Sequence, residues 1–176
     1  MKRLFVIAVL AATGVAHAQH QPYAGQQSRD IEGLSAQELE QYRAGAGMGY
    51  AKAAELNHFP GPMHVLELAD KLGLSAVQRT TTKRLMDDHK AEARAIGAKL
   101  VDAESRLEAL FRGGKVGPAE LAQAVAAAAR VQGEYRLSHL ETHRRMRALL
   151  TDEQVKRYDT LRGYEPGGAQ PQHRKH

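Results

Sequence analysis

Leu74-Ser75-Ala76-Val77-Gln78 opens a run that meets no proline and no strong stop until Gly113-Gly114. Within it Thr82, Met86, His89, Ala93, Ile96, Leu100, Ala103, Leu107 and Leu110 follow alternating steps of four and three. That spacing keeps one stripe of a helix facing a partner and predicts a coiled-coil-like seam. A helix of about 38 residues rising 1.5 Å each is a rod of roughly 57 Å. Ser75 is placed to cap it and Gln78 to reach back to the Ser75 amide.

A second run begins at Gly117-Pro118-Ala119-Glu120, where proline suits the first helical position and Glu the positive end of the helix dipole. Leu121, Val125, Ala128, Tyr135, His139, Thr142, Met146 and Leu149 continue the stepping, interrupted at Gln132. The link from Arg112 to Gly117 is short, which predicts an antiparallel helical hairpin. Thr151 and Gln154 make a further capping box, with Leu150 and Val155 as its hydrophobic staple, and a last helix runs to about Arg162.

Upstream, Ser35 and Glu38 form a capping box for a short helix to about Arg43. Gly45, Gly47 and Gly49 predict a break or close backbone packing. Helical character resumes from Tyr50 to Asn57 and ends at Pro60-Gly61-Pro62. Another short helix is expected from about Met63 to Leu72, with Gly73 just past its end. No stretch reads as a strand. The fold expectation is therefore all-α: a long antiparallel hairpin with short flanking helices, over residues 34–163.

The two ends read differently. Lys2 and Arg3 precede an apolar stretch from Leu4 to Val15, and Ala16-His17-Ala18 fits a small-x-small cleavage pattern. Residues 1–18 are expected to be a secretory signal, cleaved after Ala18, that places the mature protein outside the cytoplasm. Residues 19–33 are expected to be a flexible lead-in, and 164–176 a disordered polar tail. The chain has no Cys and no Trp, so it is expected to be stable without disulfides. Its formal net charge is +5, of which Lys2 and Arg3 would leave with the signal. Export disfavours nucleic acid as a partner despite that charge, and the helices lack the Trp and Phe face of a membrane-surface helix. No Cys nucleophile, no Gly-rich loop after a strand and no Ser, His and acid spacing points to an enzyme.

His139 and His143 lie one turn apart on one helical face, the spacing of two imidazoles sharing a first-row ion. Met146 follows near the next turn with a thioether. His64 and Glu67 share a face three residues apart. Basic side chains on the two long helices, among them Arg94, Arg144 and Arg147, mix with Met86, Ile96 and Leu100. Charge speeds encounter and scattered apolar contacts give reversible affinity, so this set suits weak capture of unfolded clients. Two rods this long leave lateral apolar surface that short helices do not cover, which predicts a homodimer.

Leu150-Thr151-Asp152-Glu153-Gln154 reproduces the LTxxQ motif, and Leu74-Ser75-Ala76-Val77-Gln78 looks like an earlier copy with Ser for Thr. On these, over about Pro62 to Gly163, the chain resembles the Spy/CpxP-like periplasmic proteins. Ala53 to Pro62 also resembles sequences called periplasmic heavy-metal sensor or resistance proteins. The resemblance implies a cradle-shaped, often dimeric helical protein acting as an ATP-independent chaperone in the envelope stress response. It also implies an alternative, a zinc-, nickel- or cobalt-responsive sensor or resistance accessory. Implied partners are unfolded envelope proteins, or a sensor kinase or anti-sigma system. No cofactor is required under the first reading, and Zn, Ni or Co is bound under the second. In such sensors a His pairs with a second ligand four residues on in this helix, which His139 and His143 match. Others come from an early helix, where His58, His64 and Glu67 are the available donors.

Overall fold

The computed structural model describes residues 23–114 and 116–164. The expected signal, its cleavage after Ala18 and nearly all of the expected tail lie outside them. Six helices follow in order among the described residues: α1 Ala36–Ala44, α2 Lys52–Glu55, α3 Pro62–Glu67, α4 Ala76–Arg112, α5 Pro118–Leu149 and α6 Asp152–Arg162, with no strand. None is long and apolar enough to cross a membrane.

The long helices α4 and α5 pack against each other and run antiparallel. Gln78 near the start of α4 donates to Leu149 O at the end of α5, and His89 meets His139 halfway along. The buried stripe of α5 passes through Ala128, Val131, Tyr135, Ser138, His139, Thr142 and Met146. The sequence break at Gln132 is thus bridged by Val131, one residue earlier. On α4 the buried set is Thr82, Leu85, Ala93, Gly97, Leu100 and Val101. It is wider than a two-helix seam because short helices press on α4 from the side.

All three expected capping boxes are closed. Ser35, Ser75 and Thr151 accept from the amides of Glu38, Gln78 and Gln154, and each of those side chains returns to its cap amide. Gln78 and Gln154 go further. Each amide nitrogen donates to the other's Oε1, at 2.8 and 3.1 Å, while both oxygens also accept their own cap N–H. The two L-[S/T]-x-x-Q segments therefore meet, and the last turns before α4 and α6 are locked to each other.

Two apolar cores result. One lies at the chain-end side of the hairpin: Val65, Ala69, Leu72, Leu74, Leu85, Met146, Leu150, Val155 and Tyr158. The other holds Ile31, Leu39, Tyr42, Ala93, Leu100, Val101, Val131 and Tyr135 beneath α1. Residues 23–33 run in turns, and Ile31 anchors them to this second core. Tyr164, expected to begin the tail, packs against the first core.

Glycine decides two close approaches. Gly45 ends α1 at φ +69 against the backbone of α4 at Arg94. Gly97 lets α1 lie on α4, since a Cβ there would sit 1.9 Å from Tyr42 O. The stretch expected to be helical from Tyr50 to Asn57 shrinks to the single turn α2, because Gly49 (φ +78) and His58 (φ +69) bend the chain on either side. The short helix expected to Leu72 ends at Glu67 and continues as turns to Gly73, whose φ is +62.

Candidate functional site

Between the two cores the α4/α5 interface is polar. Thr82, Ser138, His139 and Thr142 are all buried. Thr142 Oγ1 donates to Ser138 O and Ser138 Oγ to Tyr135 O, so helix carbonyls absorb two of these hydroxyls. The loop from Gly45 to Pro62 arches over this belt and leaves a cavity of about 620 Å3. Its wall carries four imidazoles, His64, His89, His139 and His143, and three thioethers, Met48, Met63 and Met86. Lys52, Lys90 and Arg162 also border it.

His139 is 4% exposed. Its Nδ1 shares a hydrogen bond of 3.0 Å with His89 Nε2, and the rings meet edge to face. The far nitrogens, His139 Nε2 and His89 Nδ1, are buried with no partner among the described residues. Burial drives the His139 pKa down to about 4, with the neighbouring His89 and His143 adding to the effect. Burial also lowers His89, with His143 as the second cause. A buried imidazolium has lost its hydration without gaining a countercharge, so both rings are neutral at pH 7. In neutral rings one of the two far nitrogens carries N–H and the other a bare lone pair, whichever ring donates to the other.

His143 Nδ1 donates to Phe59 O at 2.8 Å, which fixes the orientation of the ring. Gly61 makes room for this ring, since a Cβ there would lie 3.0 Å from Nε2. Glu55 closes one end of the cavity. Its Oε2 accepts from Gly61 N at 3.1 Å, and its Oε1 accepts from the hydroxyls of Tyr158 and Tyr164. Arg162 Nε lies 3.8 Å from the same carboxylate, and His143 Nδ1 lies 3.6 Å from it. Behind His139, Tyr50 and Tyr135 pack on its ring and Tyr42, Tyr50 and Tyr135 meet edge to face, and Tyr135 OH donates to Ala46 O at 2.6 Å. This bond pins the glycine-rich loop to α5.

The expected site residues divide. His139, His143 and His64 share the cavity, though His64 Nδ1 is also bonded to Glu67 at 2.9 Å. Met146 is fully buried in the first core, among carbon neighbours. His58, the other early donor, lies at the surface with its Nδ1 2.7 Å from Asp159. Among the client-binding set, Met86 lines the cavity, Ile96 is half-buried and Leu100 is 1% exposed in the second core. Arg94 donates to Ala44 O, Arg144 pairs with Glu141, and Arg147 pairs with Asp152. These three cations hold the fold's own surface more than they frame one groove.

Met48, Met63 and Glu55 are members of the cavity that their sequence positions did not announce. Met48 and Glu55 lie on the non-periodic stretch that arches over α4 and α5, and Met63 lies in the first turn of the short α3 that follows it. Among the described residues no three His, Asp or Glu side chains converge as a ready ion site. The chain matches no family model, no curated protein and no solved structure.

Proposed function

We propose that this is an exported helical binding protein that captures non-native polypeptide in the periplasm without ATP, in the manner the Spy/CpxP-like resemblance implies. The observation that carries the reading is the cavity: an apolar recess with a methionine-rich wall and a cationic border, held open between two separate cores. Unbranched thioether side chains repack around varied apolar groups, which suits a surface that must accept many sequences weakly. Lys52, Lys90 and Arg162 favour segments with acidic neighbours and raise the rate of encounter. The test is suppression of aggregation of a chemically unfolded client by the purified protein, with neither nucleotide nor metal present. Unchanged aggregation at a several-fold excess of the protein would refute the reading.

A second reading, a metal-responsive envelope protein, draws support from the four imidazoles in the same recess. Its test is stoichiometric binding of Zn2+, Ni2+ or Co2+ that disappears in a His139→Ala, His143→Ala double variant. The hairpin tip bears on assembly. Leu107, Leu110 and Leu121 are only half-buried there, and Phe111 and Val125 are 59% and 48% exposed. A second copy covering this tip would remove that apolar surface from water, so the proposed state is a homodimer. Light scattering at about 50 μM that gave a monomer mass would remove this part of the proposal.

A further inference from the structure

The methionines are distributed unevenly. Of the described methionines, Met48, Met63, Met86 and Met146, three line the cavity between the cores, from three different parts of the chain. Met48 sits on the glycine-rich loop, Met63 on α3 and Met86 on α4. Met48 and Met86 are half-buried and Met63 is 50% exposed, so all three side chains that line the recess keep some accessible surface, although Met48 also packs against the second core. The same recess holds the His89–His139 pair, where one buried nitrogen keeps an unused lone pair.

We infer that this cavity is a site for a soft monovalent d10 cation, Cu(I) or Ag(I), held by the thioethers of Met48, Met63 and Met86 with an imidazole nitrogen of the His89–His139 pair. This rests on the metal reading above and narrows it to another class of ion and another ligand set. Three arguments carry it. Thioether sulfur is a poor ligand for hard and borderline divalent ions and a good one for soft ions. A tetrahedral zinc site wants three convergent N, S or O donors from the protein, and the described His, Asp and Glu side chains provide no such trio. The remaining argument is charge. Neutral sulfurs and a neutral imidazole bring no countercharge, and Lys52, Lys90 and Arg162 stand at the border. The cost of desolvating an ion rises as the square of its charge, so a monovalent ion enters such a recess at about a quarter of the cost of a divalent one. Three rotatable bonds per methionine let the wall close on an ion far smaller than the cavity.

The experiment is titration of Ag+ into the full chain in nitrate buffer at neutral pH, read by the methyl resonances of the methionines. At least two of the Met48, Met63 and Met86 methyls should shift together and saturate at one equivalent, with Met146 unmoved. This readout is blind to silver held by histidines outside the cavity. A Met48→Leu, Met63→Leu, Met86→Leu variant keeps side-chain volume and should bind Ag+ at least 100-fold more weakly, with its thermal unfolding little changed. Zn2+, Ni2+ and Co2+ are titrated in parallel. If one of them binds through His139 and His143 while silver leaves the cavity methyls in place, the soft-ion proposal falls and the metal reading stands. If no ion binds, both fall. Silver affinity unchanged in the triple variant also overturns the proposal.

Discussion

Gly97→Ala against Gly133→Ala separates close packing from helix propensity within one hairpin. Both glycines lie inside long helices, and in both cases alanine gains roughly 1 kcal/mol of intrinsic helix propensity. At Gly133 a Cβ would meet nothing within 4 Å. At Gly97 it would lie 1.9 Å from Tyr42 O, 2.8 Å from Tyr42 C and 3.3 Å from Tyr135 Cε2. Carbon contacts settle near 3.5 Å, so the end of α1 would have to retreat by roughly 1.5 Å. Backbone cannot swing aside as a side chain can. Forced shifts of this kind cost about 1–3 kcal/mol or more, and part of the burial of Tyr42, Leu39 and Ile31 goes with them. We expect Gly133→Ala to stabilise by about 0.5–1 kcal/mol and Gly97→Ala to destabilise by about 2 kcal/mol net of propensity. Urea unfolding followed by far-UV circular dichroism reads both. A Gly97→Ala protein as stable as the parent would refute the account of how α1 docks.

Gln78→Ala and Gln154→Ala should each cost about 1–2 kcal/mol, because each removes a cap return and leaves the other amide short of a partner. The double variant should cost about 1 kcal/mol less than the sum, and strict additivity in denaturant titrations would deny that the two motifs are joined. Tyr158→Phe should lose about 1–3 kcal/mol by removing a donor to the largely buried Glu55, checked by thermal unfolding. The His139 pKa is depressed to about 4 when folded and near 6.5 when unfolded, so the unfolded chain binds the extra proton between those values. Stability should therefore be fullest above about pH 6.5 and fall by about 3 kcal/mol as pH drops to about 4. A His139→Leu variant should show a shallower loss over that window, and an unchanged slope would contradict the assignment.

Periodicity made the hairpin legible, because a three-and-four stepping over some thirty residues has few readings. Capping made the helix starts legible: Ser35, Ser75 and Thr151 each open a helix as expected. The switch of the buried stripe from Gln132 to Val131 was not legible, since a one-residue shift of face depends on how the partner helix curves. Nor was the glutamine pair. Each capping box is local, but Gln78 and Gln154 meet only because the hairpin brings α4's start beside α6's. Seam spacing placed both His89 and His139 at the interface, yet it does not fix the register of one helix against the other and so did not pair them. The cavity depends on Gly45, Gly49 and His58, all at positive φ, bending a short non-repeating segment over α4 and α5. A segment of that kind has no period from which its neighbours can be inferred.

The recess between the two cores is the proposed place where this protein takes hold of other chains. Leu56→Asp and Met63→Asp at its mouth should sharply reduce protection of an unfolding client from aggregation. Val77→Asp and Leu137→Asp, at 75% and 63% exposed positions elsewhere, should leave protection intact. Equal losses in both pairs, or none in either, would contradict it.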